Sequence, residues 1–154
     1  TRKTGGIAIS VIRLGDEGPE ALLSTPLYFL KDRGEEAGTK FLDNIAIYYL
    51  TAIAQASAYH EGLFGPLPVR GYPNKEVLLF SFRTLDTTLH DRRFAGKGYF
   101  FFCIFLRKGT TSIVARSMLE DFLKDYTSQI TDISQLTRSM LLEIVNEIIT
   151  MLLY

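Results

Sequence analysis

Residues 99–106 read Tyr-Phe-Phe-Phe-Cys-Ile-Phe-Leu, and the fold prediction starts from this segment. It is an unbroken apolar and aromatic run, with Gly98 before it and Arg107-Lys108-Gly109 after it. A half-buried strand would alternate apolar and polar side chains, whereas a continuous run bounded by turn residues is typical of a strand buried on both faces. A buried helix is the alternative, but the run is short, rich in aromatic residues and enclosed by glycines. We therefore predict a central strand with helices on both sides of its sheet.

The composition indicates a globular domain with balanced charge. The chain has 154 residues, of which 47% are hydrophobic, and 17 basic residues balance 17 acidic ones. This length supports one domain with a core of its own, and the neutral charge does not favour nucleic-acid binding. No apolar run reaches the roughly 18 residues that a membrane-spanning helix needs.

The cysteine content bears on the cellular location of the protein, and the chain ends bear on whether this domain comes from a longer chain. The single cysteine, Cys103, excludes a disulfide within the chain and favours a cytoplasmic location, and no signal peptide is visible. The chain starts at Thr1 rather than methionine, and residues 148–154 end within an apolar pattern. We therefore expect residues 1–154 to be a single domain taken from a longer chain.

Four further strands are predicted around the central one. Gly6–Arg13 is rich in β-branched residues, and Gly15–Gly18 supplies the turn of a hairpin. Pro19–Ser24 would return as the second strand, at a sheet edge because of its proline. A short third strand over Leu67–Arg70 and a fourth over Val77–Arg83 then precede the central strand.

Three helices complete the predicted fold. Phe41–His60 has few strongly polar residues, so we expect it to bury one face on the sheet and offer another to a partner; a deeper core position is the alternative. Two amphipathic helices follow, with a break near Thr131–Ser134, and would cover the other side of the sheet. The order strand, strand, helix, strand, strand, strand, helix, helix predicts an α/β fold. In it a five-stranded, mostly antiparallel sheet forms the middle of a three-layer α/β/α sandwich.

Most catalytic motifs are absent from the sequence. Gly96-Lys97-Gly98 lacks the first glycine and the hydroxyl residue of a phosphate-binding loop, and no His-Glu-x-x-His or paired-cysteine spacing predicts a zinc site. His90 and Asp91 are neighbours in the sequence, but adjacency does not orient the two side chains as a catalytic base and its partner. Cys103 is better explained as a small buried hydrophobic residue than as a nucleophile. We therefore predict no catalytic site within the chain itself, no cofactor and no metal.

The pair Arg92-Arg93 is the strongest chemical signal. It lies in the long connector Thr84–Lys97, and long loops in compact domains are often functional. An arginine presents a planar, permanently charged fork to phosphate oxygens, and in another protein's nucleotide site it offsets charge that develops during phosphoryl transfer. From these residues alone, a solvated surface pair is the favoured alternative.

Several short segments also carry a resemblance to a known family. They are Gly18-Pro19, Phe80-Ser81-Phe82 with Asp86, Arg92-Arg93-Phe94, Tyr99 with its apolar strand, and the helix with Phe122 and Leu123. Over residues 6–130, their order resembles the longin fold. In particular, the chain resembles the N-terminal longin domains of folliculin and its relatives among DENN-type regulators, and more distantly the nitrogen permease regulator 2-like proteins.

The resemblance implies an arginine finger. In folliculin-like proteins, an arginine in the loop before the central strand acts on a Rag-type small GTPase, through an Arg-Gly-Phe pattern that is similar to Arg92-Arg93-Phe94. Arginine replaces the glycine here, so either Arg92 or Arg93 takes the role, depending on the register. In the nitrogen permease regulator type the finger precedes the fourth strand, where the nearest residue is Lys75, with Arg70 a few positions away.

The resemblance also implies a dimer. Longin domains of this group pair through the first helix and a neighbouring strand, which implies a partner interface at Phe41, Leu42, Ile45, Tyr49 and Ile53. The expected function is regulation of a Rag-, Rab- or Arf-like small GTPase, including activation of its GTP hydrolysis in trans. The expected form is a homodimer, or a heterodimer with another longin subunit, in the cytoplasm or at the surface of an internal membrane.

Two alternatives stay open at this point. The first is a non-catalytic longin or roadblock-like adaptor that scaffolds a trafficking or signalling complex. The second is a small-molecule binding domain or enzyme with a pocket near His60 or His90. A deep pocket with convergent polar side chains would favour the latter, and a flat apolar patch over the first helix would count against it.

Overall fold

The computed structural model describes residues 7–15, 18–25, 40–49, 62–69, 71–86, 97–111 and 113–153. These contain five strands: β1 (Ala8–Gly15), β2 (Gly18–Ser24), β3 (Gly62–Val69), β4 (Tyr72–Leu85) and β5 (Lys97–Arg107). They also contain helix α1, described over residues 40–49, and helices α2 (Ile113–Ser128) and α3 (Arg138–Leu153). The fold is mixed α/β, as predicted. The order of elements differs from the prediction in one detail, because a 3₁₀ turn at Ile133–Gln135 separates α2 from α3.

The sheet is antiparallel, with strand order β2-β1-β5-β4-β3. β5 is the central strand, as its unbroken apolar run predicted. Ile104 of β5 lies between Ile9 of β1 and Leu78 of β4, and residues 100–106 are all buried. The proline-bearing strand β2 lies at one edge, as predicted, because a residue without an N–H is tolerated where no neighbouring strand needs that donor.

The first face of the sheet packs on α2 and α3. Alternate residues of the central strands point to this side, and neighbouring rings among Phe80, Phe82, Phe100 and Phe102 have centroids 4.8 to 6.4 Å apart. Leu119 of α2 and Leu141 of α3 belong to the same buried cluster. Offset aromatic pairs at such distances add stabilisation beyond their buried area.

The second face packs on α1. Ile12, Leu79 and Phe101 point to this side, because side chains alternate along a strand. Leu42 and Ala46 of α1 are fully buried against them. Successive side chains of β5 therefore enter different buried clusters, and this is why the strand has no polar alternation.

The predicted bounds of β3 and β4 are wrong. β3 begins at Gly62 rather than Leu67, and β4 begins at Tyr72 rather than Val77. β3 is an edge strand with a register shift between Phe64 and Leu67, and Gly65 there has φ +109°. A bulge at an edge accommodates glycine and proline within a strand, so β3 continues through Gly65 and the prolines beside it.

Candidate functional site

The candidate arginines lie between two described strands. Arg92 and Arg93 fall in residues 87–96, which lie outside the described residues. Three other predicted residues, Ile53, His60 and His90, also lie outside the described residues. The connector that carries the arginines leaves β4 and enters β5 where Leu85 pairs with Lys97. Both ends of the connector are therefore held side by side at one end of the two longest strands of the sheet.

An ion pair holds the beginning of this connector. Asp86 follows β4 directly, and its side chain is 0% exposed. Its Oδ2 accepts a hydrogen bond from Nη1 of Arg13 at 3.0 Å, while Nη2 of Arg13 donates to Oε2 of Glu20 at 2.6 Å. Burial lowers the pKa of Arg13, but its bonds to the two carboxylates outweigh burial and raise that pKa above its ordinary value. A buried aspartate with a charged partner on β1 thus fixes where the connector starts.

The same end of the sheet is tied to the segment between α2 and α3. The hydroxyl of Thr84 donates to the carbonyl oxygen of Ile130 at 2.9 Å, and Leu85 forms an isolated parallel bridge with Asp132. On the opposite face, the guanidinium of Arg83 lies 4.9 Å from the ring centroid of Tyr99. Contacts on both faces therefore brace the strand ends from which residues 87–96 depart.

The predicted partner surface lies on α1. Three of its residues are half-buried, and we call them the α1 flank: Phe41, Ile45 and Tyr49. The ring of Phe41 packs edge-on against Tyr72 of β4, with centroids 5.2 Å apart. Leu42 is fully buried against the sheet, so its side chain serves the core of the domain. Tyr48, which the prediction did not include, is 67% exposed and packs edge-on against Tyr49.

A polar cluster sets the rotation of α1. Oδ1 of Asp43 accepts hydrogen bonds from the hydroxyls of Ser10 and Ser24, at 2.7 and 2.9 Å. Both serines are buried on β1 and β2. Because this carboxylate faces the sheet, the next exposed positions of the helix, Asn44 and Tyr48, face outward. Sequence reasoning missed this cluster, although an aspartate in so apolar a helix was the available signal.

A groove of about 380 Å³ lies at the other end of β4. Its charged lining residues are Lys75, Glu76 and Lys108. Lys75 is directly opposite Arg107 on β5, and burial together with the charge of Arg107 lowers the pKa of Lys75. The resemblance pointed to Lys75 as a residue before the fourth strand, whereas the structure places it within β4.

Cys103 is inert by its position. It is fully buried and free, and burial raises the pKa of its thiol, with the charge of Asp43 adding to the effect. Since the thiolate is the reactive form, we expect iodoacetamide to leave Cys103 unmodified in the native protein at about pH 8 and to alkylate it after unfolding in guanidinium. Mass spectrometry of both samples checks this. Equal labelling rates in the two samples would contradict the burial.

Two kinds of site have no support in the described part of the chain. Over residues 7–15, 18–25, 40–49, 62–69, 71–86, 97–111 and 113–153, no group of three or more His, Cys, Asp or Glu side chains could hold a metal ion. Among the same residues, no helix has the length and apolar character needed to cross a membrane.

Comparison of the chain with protein-family models, curated proteins and solved structures finds no match.

Proposed function

We propose that this chain is a longin-like domain, with its sheet as the middle of a three-layer sandwich, and that it regulates a small GTPase of the Rag, Rab or Arf type. The five-stranded antiparallel sheet supports the proposal, as does the presence of α1 on one face and of α2 and α3 on the other. In this proposal the domain works as a dimer in the cytoplasm or, through its partners, at an internal membrane.

One observation carries the proposal: the connector with Arg92 and Arg93 departs from a braced base. Leu85 and Lys97 are paired, Asp86 is buried against Arg13, and Thr84 bonds to Ile130. A group that acts in another protein's active site is most effective when little conformational freedom remains to be lost on binding. Asp86, at the base of the connector, already has little such freedom, because its side chain is buried and paired with Arg13.

The proposed chemistry needs only one group from this chain. The GTPase binds the nucleotide, its magnesium ion and the attacking water, and the arginine of the connector donates hydrogen bonds to the phosphoryl oxygens. Charge on these oxygens and on the leaving group changes as the bond to the β-phosphate breaks. A fixed guanidinium that excludes water stabilises that transition state more than the bound substrate, and this difference accelerates hydrolysis.

The direct test is single-turnover GTP hydrolysis by purified Rag, Rab and Arf family proteins, with and without this domain. The proposal expects a large acceleration for at least one of them, saturating with domain concentration. Binding without acceleration would favour the adaptor instead. A domain that binds none of these GTPases in either nucleotide state would contradict both functions.

The second candidate is a non-catalytic adaptor, and the α1 flank favours it. Phe41, Ile45 and Tyr49 leave apolar surface accessible beside the exposed ring of Tyr48. Phe64 and Leu67 of the edge strand β3 pack against the same buried cluster as the α1 flank. Adjacent partly exposed apolar side chains are typical of protein interfaces.

For the dimer, we expect the domain to self-associate and the change Tyr48→Glu to weaken that association about tenfold or more, because it places a charge among apolar side chains. Light scattering coupled to size exclusion, over a concentration series, measures the mass. The matched control is Met118→Glu on α2, where the side chain is 49% exposed. A monomer at all concentrations, or equal effects of the two changes, would contradict self-association through α1.

A further inference from the structure

We propose that one side of helix α2 is a docking surface for a basic amphipathic helix of a partner protein. The apolar part of this surface is the α2 stripe, which we define as Met118, Phe122 and Tyr126. Four exposed carboxylates of α2 and α3 border it: Asp121, Asp125, Glu143 and Glu147. The surface belongs to the helices of the first face of the sheet, whereas α1 packs on the second face, so the inference does not depend on the proposed GTPase function.

The α2 stripe is an apolar row that the domain leaves partly uncovered. Its residues are four positions apart, so they lie on one side of the helix. Met118 is 49% exposed, and Phe122 and Tyr126 are half-buried. The centroids of these two rings are 5.8 Å apart, and both rings pack against the buried cluster of the first face. A row of three large side chains over two turns, about 12 Å long, matches the apolar row of another helix.

Two carboxylates border the stripe on α2 itself. Asp121 and Asp125 come three positions after the first two residues of the stripe, so they lie beside them on the helix surface. Lys124, the nearest basic residue along α2, pairs with Glu120 instead, with 3.7 Å between Nζ and Oε1. Within the part of the chain that the structure describes, Asp121 and Asp125 form no ion pair. Their charges are therefore available to a cationic partner.

Two further carboxylates approach the stripe from α3. Burial raises the pKa of Tyr126, and the negative charge of Glu143 raises it further, so this carboxylate lies close to the end of the stripe. Glu147 is four positions further along α3, on the same side of that helix, and both glutamates are exposed. Negative charge therefore borders the apolar row on both helices.

The distribution of charge selects the partner. Residues 113–153 include six acidic and three basic residues, although the whole chain is neutral. A second copy that met this surface with its own α2 and α3 would bring the same excess of negative charge, and anionic lipids or nucleic acid would also be repelled. A partner helix with Lys or Arg beside its apolar row would cover the stripe and pair with the carboxylates around it.

The first experiment selects helical peptides, displayed on phage with random side chains, against the 154-residue chain. Selection is repeated against Met118→Gln, which keeps the length of an exposed side chain but removes its apolar character. We expect the enriched peptides to combine Lys or Arg with apolar residues three or four positions apart, and to be recovered less on the variant. Absence of enrichment, enrichment without basic residues, or equal recovery on the variant would each overturn the proposal.

The second experiment titrates an enriched peptide by fluorescence anisotropy. We expect Met118→Gln to weaken binding about fivefold through the lost apolar contact, and Asp125→Asn to weaken it about threefold through the loss of one partly exposed ion pair. The controls on α1, Tyr48→Gln and Asn44→Lys, make matching changes of polarity and net charge at exposed positions of the other face. Equal losses in the controls, or equal affinity for a peptide with the same residues in scrambled order, would overturn the proposal.

The solution mass of the Met118→Gln variant separates this surface from an interface between copies of the chain. We expect this variant to have the same mass as the unchanged protein at every concentration, because the charges of the surface oppose a second copy. Loss of self-association in this variant would show that a second copy covers the stripe, and would overturn the proposal.

Discussion

Under the proposed function, replacing Arg92 and Arg93 together with alanine is expected to abolish the stimulation of GTP hydrolysis. An arginine supplied in trans contributes about three to five orders of magnitude to the rate, so a stimulated rate should fall to the intrinsic rate of the GTPase. Binding of the GTPase should weaken far less, because the guanidinium acts mainly in the transition state. Single-turnover phosphate release measures the rate, and a pull-down with GTPase bound to a non-hydrolysable nucleotide measures binding.

Three further variants sharpen this test. Changing both arginines to lysine keeps the charge but removes the planar fork, and should restore little of the rate. The single alanine variants decide whether Arg92 or Arg93 acts. Arg138→Ala, an exposed arginine at the start of α3, is the control and should stimulate like the unchanged protein. Full stimulation by the double alanine variant would show that neither arginine is a finger.

The change Arg13→Gln is expected to destabilise the domain by about 3 kcal/mol, because it removes the positive charge of Arg13 from beside the buried carboxylate of Asp86. The side chain of Asp86 is 0% exposed, whereas Arg13 still reaches solvent with 16% of its surface. For a domain of this length, such a loss lowers the melting temperature by roughly 6 to 12 °C. Urea unfolding followed by circular dichroism measures the free energy.

The second carboxylate on the same arginine provides the matched control. Glu20 also bonds to Arg13, but its side chain is 61% exposed. Solvent screens such a pair, so Glu20→Gln should change the free energy of unfolding by about 1 kcal/mol or less. Similar losses in the two variants would mean that burial of Asp86 does not decide the energy of this network. Under the proposed function, Arg13→Gln should also reduce stimulation of hydrolysis at temperatures where the domain is folded, because Arg13 pairs with Asp86 at the start of the connector.

Local sequence patterns were sufficient for most elements of the fold. The hairpin of β1 and β2 was predicted from two β-branched or apolar runs on either side of the turn at Gly15 and Gly18. The central position of β5 was predicted from its unbroken apolar run. The break between α2 and α3 was likewise visible near Thr131. These features depend on periodicity and turn preference within a short window, and residues close in the chain determine both.

The limits of β3 and β4 could not be predicted in the same way. Glycine and proline near Gly65 indicate a break when only local preference is considered. The position of β3 at the sheet edge reverses that interpretation, because the N–H groups on its outer side pair with no other strand of the described sheet. Edge position is a property of the assembled sheet, and no single segment contains it.

Short sequence patterns are enough to predict the apolar central strand, the amphipathic helices and the arginine pair between β4 and β5. Which polar residues meet depends on the folded chain. Arg13 and Asp86 are 73 positions apart, and Asp43 reaches Ser10 across 33 positions. Lys75 and Arg107 face each other through the register of β4 and β5. Such contacts arise when strand register and helix rotation bring distant side chains together, and burial of the whole apolar surface sets that register and rotation.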